Sequence, residues 1–211
     1  MKQKKNDNSE KAELVEDPTK QTEKLLKIEQ EMSQLSKYEK NLLNFFENIE
    51  KELESKTIHD TELRKSDTIE CIKIYFKKIQ DEIDKTYVVL TSTVREKLYY
   101  IIYNIALLFV NYIERMRKYN YSIHGISFLE WVLTLMESNV VLSHIKYMKF
   151  RVQIYLLISF LYEDCKGYKA AYGFILQGIN KLEELKGIEE QHIPLPEYML
   201  AIFNENMKYL K

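Results

Sequence analysis

Between residues 152 and 182 large, small and aromatic side chains recur at helical spacing, and that recurrence restricts the fold more than any other stretch of the chain. Tyr155, Ile158, Ser159 and Tyr162 are followed by Ala171, Ile175 and Gly178. On two antiparallel helices the small residues at 159, 171 and 178 let the backbones approach, while the aromatics and Ile175 fill the space between them. The pattern predicts one helix near 149–164, a turn at Cys165, Lys166 and Gly167, and a second helix near 168–186 that stops at Gly187. Such a hairpin is a building block for a scaffold and carries no chemistry of its own.

The spacing is of the tetratricopeptide type. Gly125, Leu129 and Val132 repeat the order of Ala171, Ile175 and Gly178, on a helix predicted at 126–138, with 98–117 as the other arm of this earlier hairpin. The hairpins are offset by 46 residues (125 to 171), more than the roughly 34 of a standard repeat, so an irregular register is expected. Pro194 and Pro196 introduce a last helix near 196–210 with Leu200, Ile202, Phe203, Met207 and Leu210. It meets Lys211 without a cap, which reads as part of a longer solenoid, because terminal repeats carry a polar outer face.

Upstream, only 5 Gly and 3 Pro in 211 residues permit long helices almost everywhere. Residues 1–19 are polar and read as a disordered tail. In 20–58, Leu25, Ile28, Met32, Leu35, Leu42, Phe46, Ile49 and Leu53 step by threes and fours, interrupted at Glu39. This stripe specifies an amphipathic helix, either paired as a coiled coil or packed on the domain behind it. Residues 57–68 read as a linker. The domain of helical repeats is expected over 67–211, opening with a helix at 67–85 on which Ile69, Ile72, Tyr75, Phe76, Ile79 and Ile83 share a face. Thr86–Thr93 is rich in Val and Thr but has no partner strand, and is expected to be a loop. Leu98–Ile113 lacks charge over 16 residues; it is shorter than the roughly 20 that span a bilayer and holds Asn104 and Asn111, so a core helix is expected in place of a membrane anchor. The fold class is therefore all-α: irregular tetratricopeptide-like hairpins stacked as a solenoid, with an N-terminal amphipathic helix or coiled coil.

With 31 basic and 32 acidic residues spread evenly, no face demands nucleic acid. Cys71 and Cys165 have neither disulfide nor metal spacing, which favours a reducing compartment. Glycine-rich phosphate loops and zinc-ligand spacings are absent from the sequence. His59, His124, His144 and His192 stand apart; His144 could meet Glu137 or Glu163 in space, but a surface or capping role is expected. Glu183, Glu184, Glu189 and Glu190 alternate with Lys181 and Lys186 as a solvated face. Cys165 is expected to be a partly buried thiol. Tyr99, Tyr100, Tyr103, Tyr112, Tyr119 and Tyr121 are expected to pack with their hydroxyls at the surface, and Trp131 to lie in the core. No catalytic, cofactor-binding or metal-binding residue is assigned, and the chain is read as a non-enzymatic protein.

Polar identities in fixed order add a family likeness. Trp131, Glu137-Ser138, Val140, Leu142, Lys146-Tyr147, Arg151, Tyr162, Asp164-Cys165 and Lys181-Leu182-Glu183-Glu184-Leu185 resemble the N-terminal helical region of the cilia- and flagella-associated protein 54 family, with weaker likeness over 95–125 and 191–211. Val141 stands where that family usually has Pro, and Phe150 where it usually has Trp. The resemblance implies a scaffold subunit of the axonemal central apparatus that supports ciliary motility, located in cytoplasm, cytoskeleton and ciliary axoneme. Its implied partners are other central-apparatus proteins, microtubule-associated ones among them, with no cofactor, nucleic acid or membrane. The stripe at 20–58 suggests an alternative, a coiled-coil adaptor of trafficking or cytoskeletal complexes.

Overall fold

Scarce proline and glycine leave the chain free to form uninterrupted helices, and the computed structural model contains them throughout its described residues, 18–57, 66–90, 95–192 and 197–210. Side chains are described for 33, 36–55, 68–90, 95–190 and 197–210. The helices are α1 (Pro18–Thr57), α2 (Ser66–Val89), α3 (Tyr99–Lys118), α4 (Ile126–Ser138), the one-turn α5 (Val140–Ser143), α6 (Met148–Asp164), α7 (Tyr168–His192) and α8 (Glu197–Leu210). Short 3-10 turns lie at Ser122–His124 and Ile145–Tyr147. The described residues include no strand, so the fold is all-α. Residues 1–17 of the tail predicted at 1–19, 58–65 of the linker predicted at 57–68, and His59, Pro194 and Pro196 lie outside the described residues, while the last two tail positions already belong to α1.

Two units divide the chain inside α1, Met1–Tyr38 and Glu39–Lys211. The first is described from Pro18 as helix. In the second, Leu42, Ile49 and Leu53 are buried, so this half of the apolar stripe is covered by the chain's own unit. The hydroxyl of Tyr100 donates to the carboxylate of Glu39, the residue that interrupts the stripe.

The core of the second unit grows from α2 and the uncharged run. Ile72, Phe76 and Ile79 are fully buried on α2, one turn apart, and Ile101, Ile102, Ile105, Phe109 and Ile113 are their equivalents on α3. Phe76 stacks on Phe109 at 3.9 Å between ring centroids, and Phe128 meets both edge-on at 5.3 and 5.9 Å. Edge-to-face and offset pairs of this kind add about 0.5–1.5 kcal/mol each beyond area burial. Asn104 and Asn111 lie on the exposed side of α3, and no helix of the described residues is long and apolar enough to cross a membrane.

α3 packs on α4 and α6 on α7 as two hairpins, and α6 also contacts α3 and α4, which sets the hairpins side by side. The offset is long and, as expected, irregular: the first arms end 46 residues apart (Lys118 to Asp164) but begin 49 apart (Tyr99 to Met148), and the second arms begin 42 apart (Ile126 to Tyr168). Both first arms end in the same way. Asn120 and Lys166 adopt positive φ (66° and 61°), and the amides of Tyr121 and Gly167 reach back to the carbonyls of Met116 and Tyr162 at 3.1 and 2.7 Å. These are Schellman ends, which satisfy carbonyls that the helix leaves open. Lys166, not Gly167, takes the left-handed position; Gly167 fits closely against Tyr162, where a Cβ would lie 3.1 Å from the ring.

The small residues serve contact as expected, with a shift in emphasis. A Cβ on Gly125 would lie 2.6 Å from Ile113, and one on Gly178 would lie 3.2 Å from Tyr155 and 3.3 Å from Leu210. Ser159 reaches the carbonyl of Ala171 at 3.1 Å, but Ala171 itself is only half-buried.

Several boundaries differ from expectation. Gly187 does not stop α7, which continues to His192, because the αL conformation that would make glycine a stop is absent there. α2 runs through Thr86 to Val89 where a loop was expected; Thr86 is buried and bonds the Glu82 carbonyl at 2.8 Å within the helix, so tertiary burial overrides its β preference. On α8, Phe203 and Leu210 are buried as predicted, whereas Ile202 is exposed and Asn206 takes the buried position.

Candidate protein-interaction groove

The first arms of the two hairpins, α3 and α6, leave a groove of about 690 Å³ between them. α3 turns Ile105, Phe109 and Ile113 into the core and leaves Tyr103, Leu107, Asn111 and Glu114 to line the groove, one turn apart. α6 likewise buries Ile154, Tyr155 and Ile158 and presents Phe150, Gln153, Leu156 and Phe160. Tyr103 packs on Tyr147 and Phe150 at 5.4 and 5.1 Å. Phe160 is 41 % exposed, so the far end of the apolar floor is open to a partner.

Charge on the lining is one-sided. Arg117, Lys118, Lys146 and Lys149 stand there against Glu114, in a chain whose overall charge is −1. Arg117 lies over the Phe160 ring at 4.8 Å and is held by two bonds to Asp164, Nε to Oδ2 at 2.9 Å and an Nη at 3.4 Å. Ser122 donates to the same carboxylate at 2.7 Å. Burial raises the Asp164 carboxyl pKa, but the bonds from Ser122 and Arg117 outweigh it and hold the group below its usual range. One carboxylate thereby joins the end of α3, the 3-10 turn and the end of α6. Lys146 sits over Tyr147 at 5.5 Å, and Lys149 approaches Glu205 at 3.8 Å.

Behind the groove, Arg151 is 4 % exposed. One Nη donates to the Ser143 carbonyl at 2.6 Å and to the Met148 sulfur at 3.1 Å, while Nε has no hydrogen-bond partner. Burial pulls its guanidinium pKa below the usual range, opposed by nearby Glu137; arginine nonetheless stays charged at neutral pH. Glu137 accepts from the Tyr155 hydroxyl, and burial together with that bond pushes the phenol pKa up. The cluster ties α4, α5 and α6 together. A small cavity beside it, about 220 Å³, is also lined by Lys181 and Glu184, which pair with each other at 3.0 Å.

His144 caps the 3-10 turn by accepting from the Lys146 amide at 3.3 Å; Glu137 is engaged by Tyr155 instead. Lys186 pairs with Glu190 at 3.6 Å on the solvated face of α7. Cys165 is exposed, not partly buried, because the helix end at Lys166 turns it outward. Trp131 is half-buried, with its ring near Phe109 and its N–H donating to Asp84 at 3.1 Å, so the indole straddles core and surface. The six tyrosines are dispersed: Tyr112 is buried, Tyr99 and Tyr100 pack edge to face, and Tyr103 alone lines the groove. The groove itself was missed in the sequence. Its signal is the second row of α3, where Tyr103, Leu107, Asn111, Glu114 and Lys118 grade from aromatic to charged at helical spacing. Among the described residues, no group of three or more His, Cys, Asp or Glu side chains could hold a metal.

Compared with curated proteins, the chain matches none. The family model for cilia- and flagella-associated protein 54 matches residues 86–201, which include both hairpins, the groove between them and the Arg151 cluster. The match extends over more than half of the chain, which belongs to the cilia- and flagella-associated protein 54 family.

Proposed function

We propose that this protein is a non-catalytic scaffold subunit of a projection on the central apparatus of the ciliary axoneme, where it supports motility by holding neighbouring proteins in fixed relation. The observation that carries this reading is the coincidence of the family match at 86–201 with two rigid hairpins and an open groove. Tetratricopeptide-type stacking supplies the mechanism. Each hairpin buries its own seam, the seam between hairpins fixes their orientation, and the remaining rows of side chains face partners. Its partners are central-apparatus proteins, microtubule-associated ones among them.

Endogenous tagging in a ciliated cell, followed by detergent extraction of isolated cilia, tests the proposal. The expected result is signal retained along the central pair of the demembranated axoneme; a diffuse cytosolic signal or one on internal membranes overturns it. The alternative, a coiled-coil adaptor of trafficking or cytoskeletal complexes, draws on the stripe at 20–58. Leu42, Ile49 and Leu53 are buried in the chain's own unit, which leaves Leu25 to Leu35 as the pairing segment, fewer heptads than a stable coiled coil ordinarily uses. Dimerisation abolished by deleting residues 20–38 would favour that alternative.

A further inference from the structure

We infer that the groove between α3 and α6 receives an acidic amphipathic helix from a partner protein, a deepening that rests on the scaffold reading. Three features of the site point to this occupant. Its walls are two rows of side chains spaced one helical turn apart, Tyr103, Leu107, Asn111 and Glu114 on α3 and Phe150, Gln153, Leu156 and Phe160 on α6. A third helix can set its own ridges between such rows. An extended segment would find no sheet edge among the described residues to satisfy its backbone. From Tyr103 to Lys118 the α3 wall runs about 22 Å, the length of four turns of a docked helix.

The second feature is apolar surface held open. Phe160 is 41 % exposed with Arg117 lying over its ring, and Tyr103, Leu107, Phe150 and Leu156 are half-buried. An aliphatic side chain entering there would remove these groups from water, with little cost in ordering Tyr103 and Phe150, which are already packed together and against Tyr147. The third is charge. Lys118 and Lys146 have no ion pair among the described contacts, and the partner of Lys149 stands at 3.8 Å, near the limit of such a contact. These lysines stand toward the two ends of the apolar floor, Lys146 and Lys149 beside Tyr147 and Phe150 and Lys118 beside Arg117, where carboxylates bordering the apolar stripe of a docked helix would meet them. They steer and orient that helix more than they bind it, since exposed pairs are worth little individually.

The test uses the full chain and a displayed library of 18-residue peptides on a helix-forming framework, selected for binding. Expected survivors carry aliphatic or aromatic residues at i, i+3 or i+4 and i+7, bordered by Asp or Glu. Their affinity should fall about tenfold or more on K118E/K146E/K149E, which changes exposed residues only, and should weaken as ionic strength rises from about 0.05 to 0.3 M. F160A should weaken the same peptides without altering their charge preference. Selection that yields no binder, basic binders, or binders indifferent to both variants overturns the inference. So does binding of RNA or of phosphatidylserine vesicles that displaces the selected peptides, or concentration-dependent self-association abolished by the lysine variant. The two readings fail separately: failed selection with central-pair retention removes the helix partner alone, and acidic-helix binding with a diffuse cellular signal removes the axonemal placement alone.

Discussion

Gly125→Ala and Gly173→Ala are the same chemical change with opposite expected signs. At Gly125 the backbone has φ −92°, which alanine adopts freely, so the substitution gains about 0.4–1 kcal/mol by restricting the unfolded chain. The new methyl would lie 2.6 Å from Cγ2 and 3.2 Å from Cγ1 of Ile113, a fully buried side chain on α3 that shares the core with Phe109. Ordinary contact is about 3.5–4 Å, so either Ile113 leaves its rotamer or α3 and α4 separate; overpacking of this kind costs about 1–3 kcal/mol. The net expectation is a loss of about 1–2 kcal/mol, or about 2–8 °C in Tm for a chain of this size. At Gly173, inside α7, an added Cβ meets nothing within 4 Å. Alanine there should stabilise by about 0.5–1 kcal/mol through helix propensity alone. Urea denaturation followed by far-ultraviolet circular dichroism measures both. A Gly125→Ala variant as stable as the parent protein, or more stable, would refute the close α3–α4 contact, and a destabilised Gly173→Ala would contradict the open space at that position.

Tyr155→Phe deletes the hydroxyl that serves Glu137 beside buried Arg151 and should cost about 1–2 kcal/mol by urea denaturation; an unchanged midpoint would show that the bond contributes nothing. At alkaline pH, Tyr162 is pushed up to about 12 by its hydrogen bond to Glu130 and by burial, and Tyr87 is pushed up to about 12 chiefly by burial. A raised folded value means stability fully present below the unfolded value of about 10 and lost as pH rises through 12. Ultraviolet titration of the folded protein should therefore show phenols that ionise near pH 12, well above the ordinary value, with one fewer in Tyr162→Phe; complete ionisation near pH 10 in folded protein contradicts this. Asp164 has the opposite sign. Its folded value is depressed, so its contribution is present above about pH 4 and is lost as pH falls through the lower, folded value. Asp164→Asn should destabilise the protein at pH 7 and converge with the parent at low pH, and a pH-independent difference would rule out the charged bonds to Arg117 and Ser122 as its cause.

Residues 98–113 and 149–164 were legible as core helices because burial on nearly every face leaves an uncharged or densely apolar run. The 126–138 helix and the turn at 165–167 followed from periodicity and from glycine. Small residues at 125 and 178 marked the helix contacts because only missing side-chain volume permits them. The family likeness was also in the sequence, carried by polar residues such as Glu137 and Arg151, whose joint role of binding α4 to α6 is visible only in three dimensions.

Local pattern therefore determined that this chain is helical, that its helices pair as hairpins, and where the seams lie, since each depends on residues a few positions apart. Tertiary structure decided what depends on distant residues meeting. It buried Thr86 and kept α2 helical past the expected loop, and it brought Asp164 to Arg117 and Ser122. It drew the second half of the N-terminal stripe into the chain's own unit. By setting α3 beside α6, it also turned two unremarkable rows of side chains into one basic, aromatic groove. Sequence periodicity marks which face of a helix avoids water; which second helix that face will meet, and what surface the pair leaves open, is settled only when the whole chain packs.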